Sequence, residues 1–165
     1  MLHDLFAHHG WANLRVIEAC TALTPAQLQT TVSGTFGTIL DTVRHIVGAD
    51  ASYLNLLTAG RTPVIDEEGM ALTELRTATE RHIAAWSSLV AQDPDTDMIV
   101  ARIRDDGSQS QAPLGIRLAQ ALHHGTDHRS QVCTALTTLG IAPPEIDVWA
   151  YGQHEGRLVE IPRAS

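Results

Sequence analysis

At 165 residues, with 44% apolar and 18% charged side chains, the chain has the balance of a globular protein, and a single domain over residues 1–165 with a sizeable core is expected. Eleven basic against nineteen acidic residues give a formal charge of −8, which repels a phosphate backbone, so no nucleic-acid partner is expected. No apolar run approaches the roughly 18 residues of a membrane span. Met1-Leu-His-Asp-Leu-Phe6 lacks the regions of a signal peptide. No membrane association and a cytoplasmic location are therefore expected.

In chain order, residues 2 to 21 place Leu2, Leu5, Phe6, Leu14, Ile17 and Ala19 at helical spacing, which predicts an opening helix despite Gly10. Thr24-Pro-Ala-Gln27 has the form of a capping box with proline at the first helical position, and predicts a short turn of helix. Gly34-Thr-Phe-Gly37 has the bare G-x-x-G of some RNA-binding loops but no Lys or Arg, and reads as a turn before a helix. From Thr38 to about Thr58, Leu40, Val43, Val47, Ala51 and Leu54 form a stripe that Gly60 and Arg61-Thr-Pro63 stop. Residues 61 to 72 mix Pro, Gly and acids and read as a long crossover loop. A helix from near Thr73 carries Leu75, Ala78, His82, Trp86 and Leu89 and ends before Asp93-Pro94.

Residues 96 to 111 read as a short extended excursion with an Asp-Gly turn inside Arg104-Asp-Asp-Gly-Ser108. Pro113 opens the fourth long helix, where Leu114, Leu118, Ala121, Gly125, Val132, Leu136 and Leu139 share a face until Gly140 and Pro143-Pro144 end it. Glu145–Tyr151 predicts one more short helix packing Ile146 and Trp149 back on the rest. Four long helices with one apolar stripe each bury those stripes most economically as an all-α four-helix bundle.

His124 and His128 lie four residues apart on the shoulder of the last stripe, so their imidazoles can close on one cation through metal–nitrogen bonds of about 2.0–2.1 Å. Nine histidines in a chain of this length produce about half of one such pair by chance, so the spacing needs context. Periodicity puts His45 about 150° from the centre of its helix's apolar stripe and does not select it. His82 lies within a stripe and reads as a core histidine or pocket wall. His123 points about 100° from His124. His3, His8, His9 and His154 read as solvated. Cys20 and Cys133 form no C-x-x-C pair and read as packed small hydrophobes.

Three blocks supply the context: Trp11-Ala-Asn-Leu14, Gly34 to Ala49 with His45, and Ala121-Leu-His-His-Gly-Thr-Asp-His-Arg-Ser-Gln131. In this order and spacing they resemble the DinB/YfiT-like metalloenzyme superfamily over nearly the whole chain. The resemblance implies a four-helix bundle with a long crossover between the middle helices. It also implies a three-histidine centre in which His45, the first ligand of the helix-two motif, joins His124 and His128. Where the family reads His-Arg-Gly-Gln, this chain has His128-Arg129-Ser130-Gln131. The resemblance further implies a small-molecule substrate and a homodimer formed through bundle faces.

A ligating imidazole normally donates its second ring N–H to an acceptor. Asp41, Asp127 and Gln131 are the nearby candidates, with Asp41 equally readable as a solvated acid in the first turn of its helix. Arg129, Gln131 and the Trp11 region are candidate pocket elements. The zincin and carboxylate di-iron readings fail: no glutamate follows His124, and no Glu-x-x-His occurs. There is also no P-loop, G-x-G-x-x-G or G-x-S-x-G.

Three neutral imidazoles leave a divalent ion most of its Lewis acidity, enough to bring bound water towards a pKa of about 7 or to deprotonate a thiol. Hydrolysis and thiol activation both follow from that chemistry. The resemblance favours the second, because relatives such as bacillithiol transferases and mycothiol-dependent maleylpyruvate isomerases join low-molecular-weight thiols to electrophiles. A metal-dependent hydrolase, a non-catalytic metal-binding stress-response protein and a bundle without metal stay open as alternatives. Imidazole ligands suit several ions, with zinc or nickel expected.

Overall fold

Thr38 illustrates how the helices begin. Its Oγ1 accepts a hydrogen bond from the Asp41 backbone N–H at 3.0 Å, satisfying a donor that the first helical turn leaves free. In the computed structural model, which describes residues 1–104 and 106–161, this cap opens α3 (Ile39–Leu57). Thr24 caps α2 (Pro25–Leu28) in the same way, with Gln27 reaching back to the Thr24 N–H at 2.9 Å. The other helices are α1 (Leu2–Thr21), α4 (Leu72–Val90), α5 (Leu114–Thr138) and α6 (Val148–His154). Gly140, at φ +74°, supplies the left-handed residue just beyond α5.

The apolar stripes meet in two clusters. Val16, Ile17 and Cys20 from the end of α1 join Val43 and Val47 from the start of α3, Leu75 from the start of α4, and Val132 and Leu136 from the end of α5. Phe6, Leu54, Trp86, Leu89, Leu114 and Leu118 form the second cluster from the opposite helix ends. Helices α1 and α5 therefore run one way and α3 and α4 the other. Around the interior, α1 packs on α4 and α5, and α3 packs on α5 and α4. Leu54, Leu75 and Leu136 are fully buried, each contributing about 1.5–3 kcal/mol by removal from water.

Parallel neighbours need a connection that travels their length. Asn55 donates its side-chain amide to the Thr62 carbonyl at 2.8 Å, Glu67 lies against Gly48, and Arg44 Nε donates to the Met70 carbonyl at 3.0 Å. Residues 58–71 thus run back along α3, which is the crossover expected over 61–72.

Between the two apolar clusters lies a polar layer drawn from all four long helices: His9 and Asn13, Asp50, His82 and Arg129, each no more than 4% exposed. His9 Nε2 donates to Asp50 at 2.9–3.0 Å, and Asn13 Nδ2 donates to the same carboxylate at 3.1 Å. Arg129 Nη1 donates to Asn13 Oδ1 at 2.7 Å and to His9 Nδ1 at 3.2 Å. The carboxylate and guanidinium are joined through two neutral side chains. Burial pulls the Arg129 pKa down to about 10, against the opposing pull of Asp50, so the guanidinium stays charged at neutral pH. Gly125 leaves room for this layer, since a Cβ there would collide with the His9 ring.

Three expectations change. His9 is buried rather than solvated, because it follows Phe6 by three residues and precedes Asn13 by four on the inward face of α1. His8 is half-buried and hydrogen-bonds the Ile146 carbonyl at 2.8 Å. Trp149 is 71% exposed, and Tyr151 instead turns inward, with ring centroids 5.5 Å from Trp11 and 5.7 Å from His8. Ile146 packs against the first apolar cluster as expected.

The described chain is mostly helical but not wholly so. Strands β1 (Ile99–Ile103) and β2 (Gln109–Pro113) pair antiparallel, with Ile99 opposite Pro113. Arg104 N donates to the Ser108 carbonyl at 2.9 Å across a turn in which Gly107 adopts φ +81°. This is the extended excursion expected over 96–111. Asp105, within that turn, lies outside the described residues. Among the described residues, no helix is long and apolar enough to cross a membrane.

Candidate metal centre

Helix α5 carries His124 and His128 on the side that packs against α3, and α3 presents His45 to them. One nitrogen from each ring lies within 4.8 Å of the others, and among the described residues this is the group of His, Cys, Asp and Glu side chains able to hold a metal ion. The Nε2 atoms of His45 and His124 are 3.0 Å apart. Two nitrogens about 2.0–2.1 Å from one ion are separated by about 2.8–3.4 Å for bond angles between square and tetrahedral, so the spacing fits a shared cation. His45 was invisible to periodicity because α3 has two buried sides. Its main stripe joins the first apolar cluster, and the His45 side also meets α5 through His124.

Gln131 is the local acceptor that the spacing suggested. Its Oε1 lies 2.9 Å from His128 Nδ1 and also accepts the Phe36 backbone N–H at 3.0 Å. That contact fixes the His128 ring so that its Nε2 is free to face the other two imidazoles. Asp41 plays no such part, since its carboxylate accepts from Thr38 Oγ1 at 2.7 Å and completes the helix cap. Asp127 and His123 are exposed. Arg129 belongs to the buried polar layer, and Trp11 packs with Tyr151 and His154. His82 is buried in α4 outside the trio, and its Nδ1 has no partner among the described residues.

Two aromatic neighbours escaped sequence reasoning. Phe36 stacks on His45 with centroids 4.0 Å apart and planes 9° from parallel, and Tyr53 meets His124 edge-on at 5.9 Å. The Gly34-Thr-Phe-Gly37 turn, with Gly34 at φ +87°, carries Phe36 onto the site. Tyr53 lies eight residues beyond His45, about 80° round α3, so spacing alone did not select it.

A cavity of about 420 Å³ opens over His45, lined by Phe36, Asp41, Arg44, Glu67 and Glu68. A second, of about 490 Å³, lies between α1, α5 and the segment before α6 and reaches none of the three metal-type histidines. The first is the one that bears on the centre.

Burial and the neighbouring rings hold His45 and His124 neutral. Desolvation, then His128 and His45, push His124 down to about 4, and desolvation followed by His128 also lowers His45. Both rings therefore offer lone pairs at neutral pH. An unfolded chain takes up these protons near pH 6.5, before the folded one does, so stability must fall as pH drops. Urea titrations of metal-free protein are expected to show progressive loss from about pH 6.5 towards pH 4. A flat profile across that window would contradict the burial described here.

The cysteines are not candidates for this chemistry. Burial raises the Cys20 thiol to about 12 and also raises Cys133, so both stay protonated and pack as small hydrophobes.

Comparison with known proteins agrees with the architecture. No curated protein matches the chain. The DinB family profile matches residues 1–162, which include every helix described above and all three histidines of the centre. The chain belongs to the DinB family.

Proposed function

We propose that the protein is a divalent-metal-dependent enzyme of the thiol-transferase type, with His45, His124 and His128 as its ligands. The carrying observation is the convergence of three imidazoles from two helices, without a fourth His, Cys, Asp or Glu in the group among the described residues. Three-ligand sites keep positions for substrate, whereas structural sites close with four. We read the whole chain as one four-helix bundle with a long crossover. We also read it as a cytoplasmic protein acting on a small molecule, without nucleic-acid or membrane partners and able to form a homodimer.

When bound, zinc or nickel would supply Lewis acidity, enough to deprotonate a coordinating thiol at neutral pH. The chain's own residues do the rest. Gln131 orients His128, Phe36 covers one face of His45, and Tyr53 flanks His124. The cavity over His45 gives a small molecule access to the ligand side of α3. The same open site would also serve a hydrolase, and substrate identity separates the two.

The test is elemental analysis of protein purified without added metal, followed by assays pairing small thiols with electrophiles. About one divalent ion per chain and thiol-dependent turnover abolished by chelation are expected. Metal without thiol-dependent turnover would move the assignment to hydrolysis or to a non-catalytic stress-response role, and absence of metal would end it.

A further inference from the structure

Three neutral ligands leave the charge of a divalent ion uncompensated, which raises the question of where this chain keeps a nearby negative group. The crossover supplies one. Glu67 lines the cavity over His45, and its carboxylate rests on the backbone of α3 at Gly48. Gly48 lies three residues after His45, one helical turn along the same face. A Cβ at Gly48 would collide with the Glu67 carboxyl carbon and both of its oxygens. Position 48 is thus a seat that only glycine leaves open.

The seat holds a carboxylate with nothing else to do. Glu67 is half-buried, and among the described residues it makes no side-chain hydrogen bond or ion pair. Arg44, the nearest cation lining the cavity, is turned away: its Nε donates to the Met70 carbonyl and its Nη1 lies 3.8 Å from Asp41. Desolvating a carboxylate without a partner is unfavourable, and a cation held beside it reverses the sign. Glu68 lines the same cavity but is exposed.

We propose that Glu67 is the anionic partner of the metal centre, held over His45 by the Gly48 seat so that its carboxylate offsets the charge of a cation bound by the three histidines. The inference rests on the proposed metal site. Nothing in the helix itself needs Gly48, since alanine propagates a helix better.

The experiment measures Zn²⁺ affinity of the full chain by competition with a chromophoric chelator, alongside thermal melts of the metal-free proteins. Glu67→Gln is expected to weaken Zn²⁺ binding about ten- to a hundredfold, the range for groups that support metal ligands. Gly48→Ala keeps the glutamate but fills its seat with a methyl group, and is expected to weaken binding to a similar degree while the metal-free protein melts no lower than wild type. Glu68→Gln is expected to bind Zn²⁺ as wild type does. Wild-type affinity in Glu67→Gln would overturn the assignment of Glu67. So would an equal loss in Glu68→Gln, which would reveal a diffuse charge effect, or unimpaired binding in Gly48→Ala, which would show that the seat is irrelevant. Absence of Zn²⁺ binding by wild type would instead refute the metal site itself.

Discussion

Replacing His124 with alanine is expected to lower affinity for a divalent ion by more than about a hundredfold, a larger loss than removal of a supporting group causes. The three ring centroids lie 4.5–4.8 Å apart, so each ring touches both others. The His124 Nε2 is 3.0 Å from that of His45, and its ring centroid is 4.5 Å from that of His128, so its loss leaves two imidazoles on different helices. Elemental analysis should find close to one ion per chain in wild type and little in His124→Ala. Two comparisons give the result its meaning. Gln131→Ala should show a smaller loss, since it frees His128 to rotate without removing a ligand. His82→Ala should retain wild-type metal, because His82 stands outside the trio. Equal metal in wild type and His124→Ala would show that the three rings do not form the site.

The largest effect on stability is expected at Asp50. Alanine there removes the acceptor of the His9 and Asn13 bonds and leaves the Arg129 guanidinium charged inside the protein. Breaking one side of a buried charge network costs about 3–5 kcal/mol, against a total stability of about 5–15 kcal/mol for most domains. Urea denaturation should show the midpoint collapsing with the slope little changed. Asp50→Ala combined with Arg129→Met should recover part of the loss, because the second change removes the stranded cation. A loss under about 1 kcal/mol in Asp50→Ala would mean that water reaches the layer.

Much of this architecture was legible in the sequence, because helix starts and stops are local chemistry. Thr24 announced its cap, Gly140 announced the end of α5, and Asp106-Gly107 turned the hairpin. The pair His124 and His128 was legible from spacing, and His45 only through the family's motif. What escaped were groups whose roles depend on a second element. Phe36 and Glu67 sit in connections that carry no periodic signal, and the helices against which those connections fold give them their places. His9 was misread for a different reason: nearness to a chain end suggested solvent, while its spacing from Phe6 and Asn13 had already placed it inward.

The arrangement of the polar layer has a mechanical corollary. Hydrocarbon surfaces can slide past one another by a helical turn at modest cost, but here such a slip would carry a guanidinium into the grip of leucines and leave a carboxylate facing none of its donors. The layer therefore works as a detent that permits one axial setting of α1, α3 and α5. Arg129 adjoins His128, and Gly125 adjoins His124, so the catch that holds α5 at its height is built into the same two turns that carry the imidazole pair. Ring positions on two separate helices are thereby set by the interior of the protein, before any ion arrives to draw them together.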